Sequence, residues 1–478
     1  MATVTISSLL SLSFLLPERS GFVTSDSRAR QLLPLFSGLW LLSALGNVIA
    51  TLASLFDQSF FNSFDLTTIY SFLSQTSLGR LQFIEVLAGL TIFIFSSLIK
   101  KTGGAFFLLL IAIIGVTAPV LESHSSSLGS HGLAIGSLVI HVVAITLWIG
   151  AVLALAMMSR VDQSLARPRV SVIALWASIA VATSGVANAW SRLRVSSDWF
   201  STYGALIGVK ATLFLVVLIV AQRIRKSATL ERLLVIEVAI LFLILTLGSI
   251  LNRFVPIVQI EGTSDRAQQL IGVPMPAAPT FSRVSWAYEA DGLILGILIF
   301  ATALYIKGVL TLSRRGDSWP KGRTISFAIG IALLDFATNG GVGLYARFSF
   351  QFHMIAHMIL SMIAPIALVL SAPVTLALRA LPSGRSEGER GLRGALIAAL
   401  HSLPSRIWTH PLVALAIFDG SLFALYFTPL FGELMSSHFG HLVMTFHFLG
   451  AGLLFFFVIV GVDPNPRKVP HLAQIGRA

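Results

Sequence analysis

The chain has 478 residues, of which 55% are hydrophobic and only 11% are charged, and its formal net charge is +12. So few charges cannot cover the surface of a soluble protein of this length, which excludes that class. The apolar runs are continuous rather than alternating, so they predict membrane-spanning helices and not the strands of a barrel. There is no cysteine, which excludes disulfides, thiolate metal ligands and c-type haem attachment.

Apolar runs of about 20 residues recur along the chain, and each is long enough to cross a bilayer as a helix. We predict an all-α, polytopic transmembrane helical bundle of about twelve spans with both termini in the cytoplasm. With this topology, the large majority of the 33 Lys and Arg residues lie in cytoplasmic loops, as the positive-inside rule requires. The basic charge therefore does not indicate a nucleic-acid partner. The predicted spans are 31–55, 81–99, 105–121, 132–157, 170–189, 203–221, 233–252, 286–311, 324–346, 350–371, 410–430 and 440–461.

The first apolar segment, "VTISSLLSLSFLL" (Val4–Leu16), precedes these spans and is too short to cross the membrane comfortably. It has neither a basic region before it nor a small-x-small cleavage site, so it does not have the pattern of a signal peptide. We expect this segment to lie in the membrane interface. A short thirteenth helix is the alternative.

The outer loop near 253–285 is rich in Pro, Gly, Ser and Thr and separates the first seven predicted spans from the last five. This composition is typical of a linker and divides the chain into two membrane domains. The predicted domains are 1–255 and 286–478, joined by an extracytoplasmic linker at 256–285.

The histidines favour one side of the predicted membrane. Of the eleven, eight fall outside the bilayer on the extracytoplasmic side or within its outer half. His353 and His357 are four residues apart, which places them on one helix face. The eight are His124, His131, His141, His353, His357, His438, His441 and His447.

Depths estimated from the helical rise place histidines of two spans at similar levels. His353 and His357 lie roughly 5 and 11 Å below the outer end of their span, and His441 and His447 roughly 2 and 10 Å below theirs. The two helices can therefore bring imidazoles together. Met444 lies three residues from both His441 and His447, and Met354 and Met358 lie on the face next to that of the histidine pair.

Imidazole and thioether ligands without thiolates suit copper, cuprous copper in particular. Magnesium and calcium require oxygen ligands, and zinc gains little from methionine. The alternative is structural: methionines packing apolar helices and histidines hydrogen-bonding neighbouring carbonyls. We predict a copper site built from His353, His357, His441, His447, His438, Met354, Met358 and Met444.

Four other ionisable residues lie within predicted spans. Asp335 and Asp419 lie roughly 16 Å below the outer ends of their spans, under the histidine level. Two readings stay open: they orient ligand histidines from a second shell or relay protons, or they are carboxyl groups hydrogen-bonded inside the bundle for structural reasons. Glu85 and Lys210 lie at similar outer depths in the first half and could pair with each other.

The second half resembles the CtaG-type cytochrome c oxidase assembly proteins. The resemblance covers roughly 286–470 and rests on "FSFQFHMIAHMILSMIAPIALVLSAPVTLALRALP" followed by "FGHLVMTFHFLGAGLLFFFVIVGVDPNPRKVP". The first half is similar, more loosely, to the CopD copper-resistance membrane domain. The matching pieces there are "ESHSSSLGSHGLAIGSLVIHVVAITLWIGAVLAL", with His141, Trp148 and Gly150, and "YGALIGVKATLFL", with Lys210.

These resemblances imply a fusion of the two domains, an arrangement associated with actinobacteria, in the bacterial cell membrane. They imply copper uptake by the first half and delivery of copper to the oxidase copper centre by the second. The implied partners are a cytochrome c oxidase subunit or an extracytoplasmic copper chaperone, besides the lipid bilayer. By motif position, His124, His131 and His141 form a second, weaker candidate site. The family continues with further helices after "GVDPNPR", so we expect either a short protein or a truncated sequence.

Three functions compete at this stage. The leading hypothesis is a copper-binding membrane protein that is not an enzyme. Histidines on facing helices also suit a haem that transfers electrons across the membrane. A proton-coupled permease using Asp335, Asp419 and Lys210 is the third. ATP-driven pumping is disfavoured because neither a P-loop glycine pattern nor a "DKTG" segment occurs.

Overall fold

The computed structural model describes the chain in segments and divides it into two compact units, Met1–Gln259 and Ile260–Ala478. The boundary falls inside the predicted linker. Within the described residues the secondary structure is helical, apart from two isolated bridges, Phe22 to Lys101 and Tyr288 to Gly340. The described residues are 1–16, 21–23, 27–122, 131–193, 196–226, 230–251, 266–267, 274–384, 389, 391–435 and 438–466.

The first unit packs long apolar helices around a core that includes Trp40, Trp148 and Leu241. These side chains are 2% exposed or less, so this part of the bundle is closely packed. Its helices are α1 (Ala2–Leu10), α2 (Arg28–Leu55), α3 (Leu66–Gln75), α4 (Ser77–Ser96), α5 (Thr102–Thr117), α6 (His131–Met157), α7 (Arg160–Arg192), α8 (Thr202–Lys226) and α9 (Leu230–Leu251).

The N-terminal segment is buried inside the first unit rather than exposed at its surface. Helix α1 and the π-helical turn Ser11–Leu15 that follows it are buried among α2, α5 and α6. The Arg169 guanidinium donates hydrogen bonds to the carbonyl oxygens of Phe14, Leu15 and Leu16, at 3.2, 3.4 and 3.4 Å. These carbonyls lie at the C-terminal end of the described helical segment, where an α-helix leaves its last carbonyls unsatisfied and a cation also complements the dipole. The segment is therefore a short buried helix, and whether it crosses the membrane stays a prediction.

The second unit carries the histidine-rich segment. Two adjacent short helices, α14 and α15, flank a π-helical turn, Ile359–Ile363, and run on into α16 as one apolar stretch, Phe350–Ala380. The helices are α10 (Phe281–Trp286), α11 (Gly292–Arg314), α12 (Lys321–Thr338), α13 (Gly341–Ala346), α14 (Phe350–Met358), α15 (Ala364–Leu370), α16 (Pro373–Ala380), α17 (Gly391–Leu400), α18 (Leu403–Trp408), α19 (Pro411–Tyr426), α20 (Leu430–Met435) and α21 (His438–Val460).

Ten apolar stretches in the described residues are long enough to cross a membrane, which makes this a multi-pass membrane protein. Two of the twelve predicted spans are not among them. Helix α12 contains Lys321, Arg323 and Asp335, and it ends at Thr338 rather than near 346. Helix α19 has only 16 residues.

Close helix contact positions α21 against the histidine-bearing segment. A Cβ atom at Gly452 would lie 2.1 Å from the backbone oxygen of Ser361 and 2.8 Å from the Cγ of Pro365. Only glycine permits this approach, as is common where membrane helices cross. The contact lies directly after α14, so it sets the distance between α14 and α21.

The far end of α21 is tied to the same segment. Asp463 is 4% exposed, and its carboxylate accepts hydrogen bonds from the backbone N–H of Val374 and Thr375 and from the Thr375 hydroxyl, at 3.2, 2.7 and 2.6 Å. These N–H groups are the unsatisfied donors of the first turn of α16. The aspartate of "GVDPNP" therefore caps the helix of "APVTLALRALP". This contact joins the two segments that carried the family resemblance.

Candidate metal centre

Two adjacent, mutually tilted imidazoles form the centre of the candidate site. The ring centroids of His353 and His357 are 4.1 Å apart on α14. Both side chains are buried, at 1% and 3% exposed. Within the described residues, Nδ1 of His357 and both ring nitrogens of His353 lack a hydrogen bond of good geometry, and only the Ala346 backbone interacts with the His353 ring. Burying polar atoms without hydrogen bonds is costly, so these nitrogens are the strongest candidates in the second unit for contact with a ligand.

A third histidine reaches this pair from α21. The ring centroid of His441 is 6.5 Å from that of His353. Phe448 lies seven residues, or two helical turns, after His441 and so on the same face of α21. Its ring centroid is 4.2 Å from that of His357. The facing wall therefore consists of His441 and Phe448.

Aromatic side chains enclose the histidines. The ring of Phe431 is 5.3 Å from that of His353, and the ring of Tyr426 is 6.5 and 6.4 Å from those of His353 and His357. The Tyr426 hydroxyl is buried and has no hydrogen-bond partner in the described part of the chain. The enclosure restricts water at the imidazoles, which favours a weakly hydrated, soft ion over a strongly hydrated one.

His447 does not face this cluster. It is exposed, and its ring contacts that of its neighbour Phe448 at 5.6 Å. The expected stripe of His441, Met444 and His447 spreads around the helix, since six residues correspond to about 600° of rotation. Met444 is 2% exposed and packs with Leu425 and Phe448.

Three other residues were predicted as ligands of this site: Met354, Met358 and His438. Met354 and Met358 are half-buried on α14. The side chain of His438 lies outside the described residues.

The described residues bring two histidines together, but they do not form a complete set of metal ligands. No group of three or more His, Asp and Glu side chains among the described residues is arranged to hold a metal ion. Two histidines four residues apart on a helix are nevertheless a recurrent metal-binding arrangement. The ring nitrogens of His353 and His357 that lack hydrogen bonds of good geometry within the described residues are consistent with such a role, and soft ligands could be added by nearby thioethers.

Asp335 lies in the last turn of α12. Its carboxylate accepts hydrogen bonds from the Tyr288 hydroxyl at 3.1 Å and the Asn339 side-chain amide at 2.8 Å. Partial burial, together with the charge of Asp335 and this bond, raises the pKa of Tyr288 to about 12, so Tyr288 remains a donor. The Asn339 amide oxygen accepts from the backbone N–H of Asp291, which caps α11. Asp335 thus braces the junction of α11 and α12, and these bonds do not involve the histidine pair.

Asp419 lies on an exposed face of α19. Its neighbour on the buried side, Phe418, stacks on Phe455 of α21 with ring centroids 4.5 Å apart. The structure therefore brings neither predicted carboxylate into hydrogen-bonding contact with His353 or His357.

The first unit places its predicted residues in separate environments. The Glu85 carboxylate accepts a hydrogen bond from Trp40 Nε1 at 3.1 Å, and no ion pair with Lys210 occurs among the described residues. His141 Nδ1 lies 3.0 Å from the Ser184 hydroxyl, which itself donates to the Ala180 carbonyl at 2.5 Å. Because the Ser184 hydroxyl already donates its proton to Ala180, it accepts a hydrogen bond from Nδ1 of His141. The lone pair of the imidazole is then on Nε2. His124 and the His131 side chain lie outside the described residues.

Sequence reasoning did not single out Tyr426, Phe431 and Phe448. Phe448 could have been found from its spacing of seven residues from His441, which returns a side chain to the same helix face. Tyr426 and Phe431 belong to other helices, α19 and α20, and no local pattern links them to the histidines.

The fold and this site define a class: a multi-pass helical membrane protein with a buried histidine cluster in its second unit. Residues 303–477 match the model of a family described as cytochrome c oxidase caa3 assembly factor, Caa3_CtaG. The match includes the histidine pair, His441 and Asp463. Residues 1–302 lie outside it, so the similarity of the first unit to CopD remains a prediction.

Uncharacterized proteins of three mycobacteria are similar to part of the chain. Those of Mycobacterium bovis and Mycobacterium tuberculosis are each 41% identical over 206 residues, and that of Mycobacterium leprae is 38% identical over 206 residues. In each case the match covers 43% of this chain and 31% of the relative, so it spans less than a third of the relatives' length. No solved structure matches the chain.

Proposed function

We propose that the second unit holds a cuprous ion at the His353–His357 pair and supplies it during assembly of cytochrome c oxidase. The observation that carries the proposal is the buried pair of adjacent imidazoles, whose ring nitrogens lack hydrogen bonds of good geometry within the described residues. The family match of residues 303–477 supports the oxidase as the destination. The protein would act as a carrier of copper and not as an enzyme.

The proposed ligands are a histidine pair fixed on one helix and three further side chains that would complete the coordination. His353 and His357 are on one helix, so their spacing is maintained by the backbone. His441 lies across the helix interface and would add a third nitrogen. Met354 and Met358, half-buried on the adjacent face, offer thioethers toward which cuprous copper could leave. An oxidase subunit or an extracytoplasmic copper chaperone would be the recipient or donor.

The haem alternative is less compatible with the packing. A porphyrin between His353 and His441 would need an open slot, whereas His353 is 1% exposed and Phe431 lies 5.3 Å from it. The permease alternative required Asp335, Asp419 and Lys210 to act together. Asp335 instead bonds Tyr288 and Asn339, and Asp419 is exposed.

The test compares cuprous binding by purified wild type, His353→Ala, His357→Ala and His447→Ala. Anaerobic titration against a chromophoric cuprous chelator measures affinity, and oxidase activity is measured in cells expressing each variant. We expect each of the first two substitutions to lower affinity by at least about tenfold, or ~1.4 kcal/mol, and to reduce oxidase activity.

His447→Ala is the matched control, because His447 is an exposed histidine on α21 outside the cluster. It should bind copper as wild type does. Equal copper binding and equal oxidase activity in all four proteins would refute the proposal. A strong Soret band in the purified protein would instead support the haem alternative.

A further inference from the structure

A second cluster of polar residues lies at one end of the first unit, where α7 ends, α8 begins and α9 ends. Three side chains on α7, Ser184, Asn188 and Arg192, follow one another at intervals of four residues and so share a face. The loop-charge pattern assigns this end to the extracytoplasmic side. None of these groups belongs to the histidine cluster of the second unit.

Lys210 is the central group. It is half-buried on α8, and no hydrogen bond or ion pair of its ammonium group occurs within the described residues. Arg192 and His141 are both close enough to interact with it electrostatically, and the interactions are unfavourable to its positive charge. Asp198, in the turn between α7 and α8, carries one negative charge against the two positive charges of Arg192 and Lys210. An uncompensated cation this close to another calls for an anion.

Two glycines leave room beside the polar groups. A Cβ atom at Gly248 of α9 would have one neighbour within 4 Å, the Lys210 Nζ at 3.3 Å. A Cβ atom at Gly185 would contact only His141, at 3.6 and 3.8 Å. The absence of side chains at these positions leaves space directly against the ammonium group and the imidazole.

The polar face of α7 also carries hydrogen-bonding groups. Arg192 donates to the Tyr203 hydroxyl at 2.6 Å, which holds the guanidinium at the start of α8. Asn188 donates to the Ser184 carbonyl at 3.0 Å, while its buried amide oxygen has no partner in the described part of the chain. Amide rotation would exchange these roles, so Asn188 can present a donor to a ligand.

We propose that Lys210, Arg192 and Asn188 form a binding site for a phosphate group at this end of the first unit. The phosphate would come from the headgroup of an anionic lipid or from free phosphate. The ammonium and guanidinium groups would each donate charge-assisted hydrogen bonds to its oxygens. The site is independent of copper binding in the second unit.

The experiment uses the full chain in nanodiscs. Native mass spectrometry measures retained phosphatidylglycerol against phosphatidylcholine, and thermal shift measures binding of inorganic phosphate. Wild type should retain phosphatidylglycerol preferentially or be stabilised by phosphate. Lys210→Gln should weaken that binding by about tenfold or more, as expected for the loss of a hydrogen bond to a charged group.

Three further variants keep the test decisive. Lys210→Arg should preserve most of the binding, because the charge remains. Gly248→Ala should reduce it, because the new Cβ lies 3.3 Å from Nζ. Lys307→Gln removes the lysine within a span of the second unit and should change nothing.

The two sources are separated by the readouts. Loss of lipid preference in Lys210→Gln identifies a lipid headgroup, and loss of phosphate stabilisation alone identifies a free anion. Wild type without either form of binding, or Lys210→Gln with both intact, would overturn the proposal.

Discussion

Gly452 offers a direct test of how helix packing positions the candidate copper site. In Gly452→Ala, the new Cβ would lie 2.1 Å from the Ser361 carbonyl oxygen, and such contacts essentially never fall below 3.0 Å. Helix α21 must therefore withdraw from the α14–α15 segment by about 0.9 Å, the difference between these two distances. Overpacking of this kind costs about 1–3 kcal/mol. We expect lower thermal stability and, because His441 moves with α21, weaker cuprous binding.

Gly450→Ala provides the matched control. Gly450 lies on the same helix two residues earlier, and a Cβ there would have no neighbour within 4 Å. This substitution should leave copper binding unchanged and raise helix stability by roughly 0.5–1 kcal/mol. Thermal unfolding and chelator competition on both variants are the measurements. If Gly452→Ala unfolds and binds copper as Gly450→Ala does, the inferred role of the close contact is wrong.

Two further substitutions test contacts that only the fold reveals. Asp463→Ala should lower the free energy of unfolding by about 1–2 kcal/mol, because the first turn of α16 loses its cap. Thermal unfolding measures this loss. The control, Asp317→Ala, should lose less than about 1 kcal/mol, because its ion pair with Arg379 is exposed. Arg169→Ala should cost roughly 1.5–3 kcal/mol by removing charged hydrogen bonds to the end of the α1 segment. Hydrogen exchange within residues 6–15 should accelerate in that variant and not in one with the exposed Arg160 replaced by alanine. Unchanged exchange in Arg169→Ala would show that burial alone holds α1.

The helical class and the membrane setting follow from composition and from the length of the apolar runs, which no packing arrangement can change. Helix interruptions were harder to anticipate. The predicted span 324–346 passes through Asn339–Gly340–Gly341, where the chain instead ends α12 and starts α13. A Cβ at Gly341 would lie 2.1 Å from the Val284 oxygen, so tertiary contact decides the turn. This is why Asp335 lies at a helix end.

The adjacency of His353 and His357 could be predicted from their spacing in the sequence. Because His353 and His357 are one helical turn apart on one element, their adjacency needs no knowledge of the rest of the fold. Which residue of α21 faces the pair does depend on the rest of the fold. Choosing between His447 and Phe448 depends on the rotation of α21 about its axis, and one residue changes that rotation by about 100°.

By itself, the sequence determined the membrane class and the i, i+4 histidine pair, since these depend on composition and helical period. The tertiary structure decided which residues meet across helices. It placed His441 and Phe448 against the pair, turned His447 outward and buried the N-terminal segment. It also joined Asp463 to the start of α16. These outcomes depend on helix rotation and close approach, which arise from packing between segments distant in the chain and leave no periodic signal within either one.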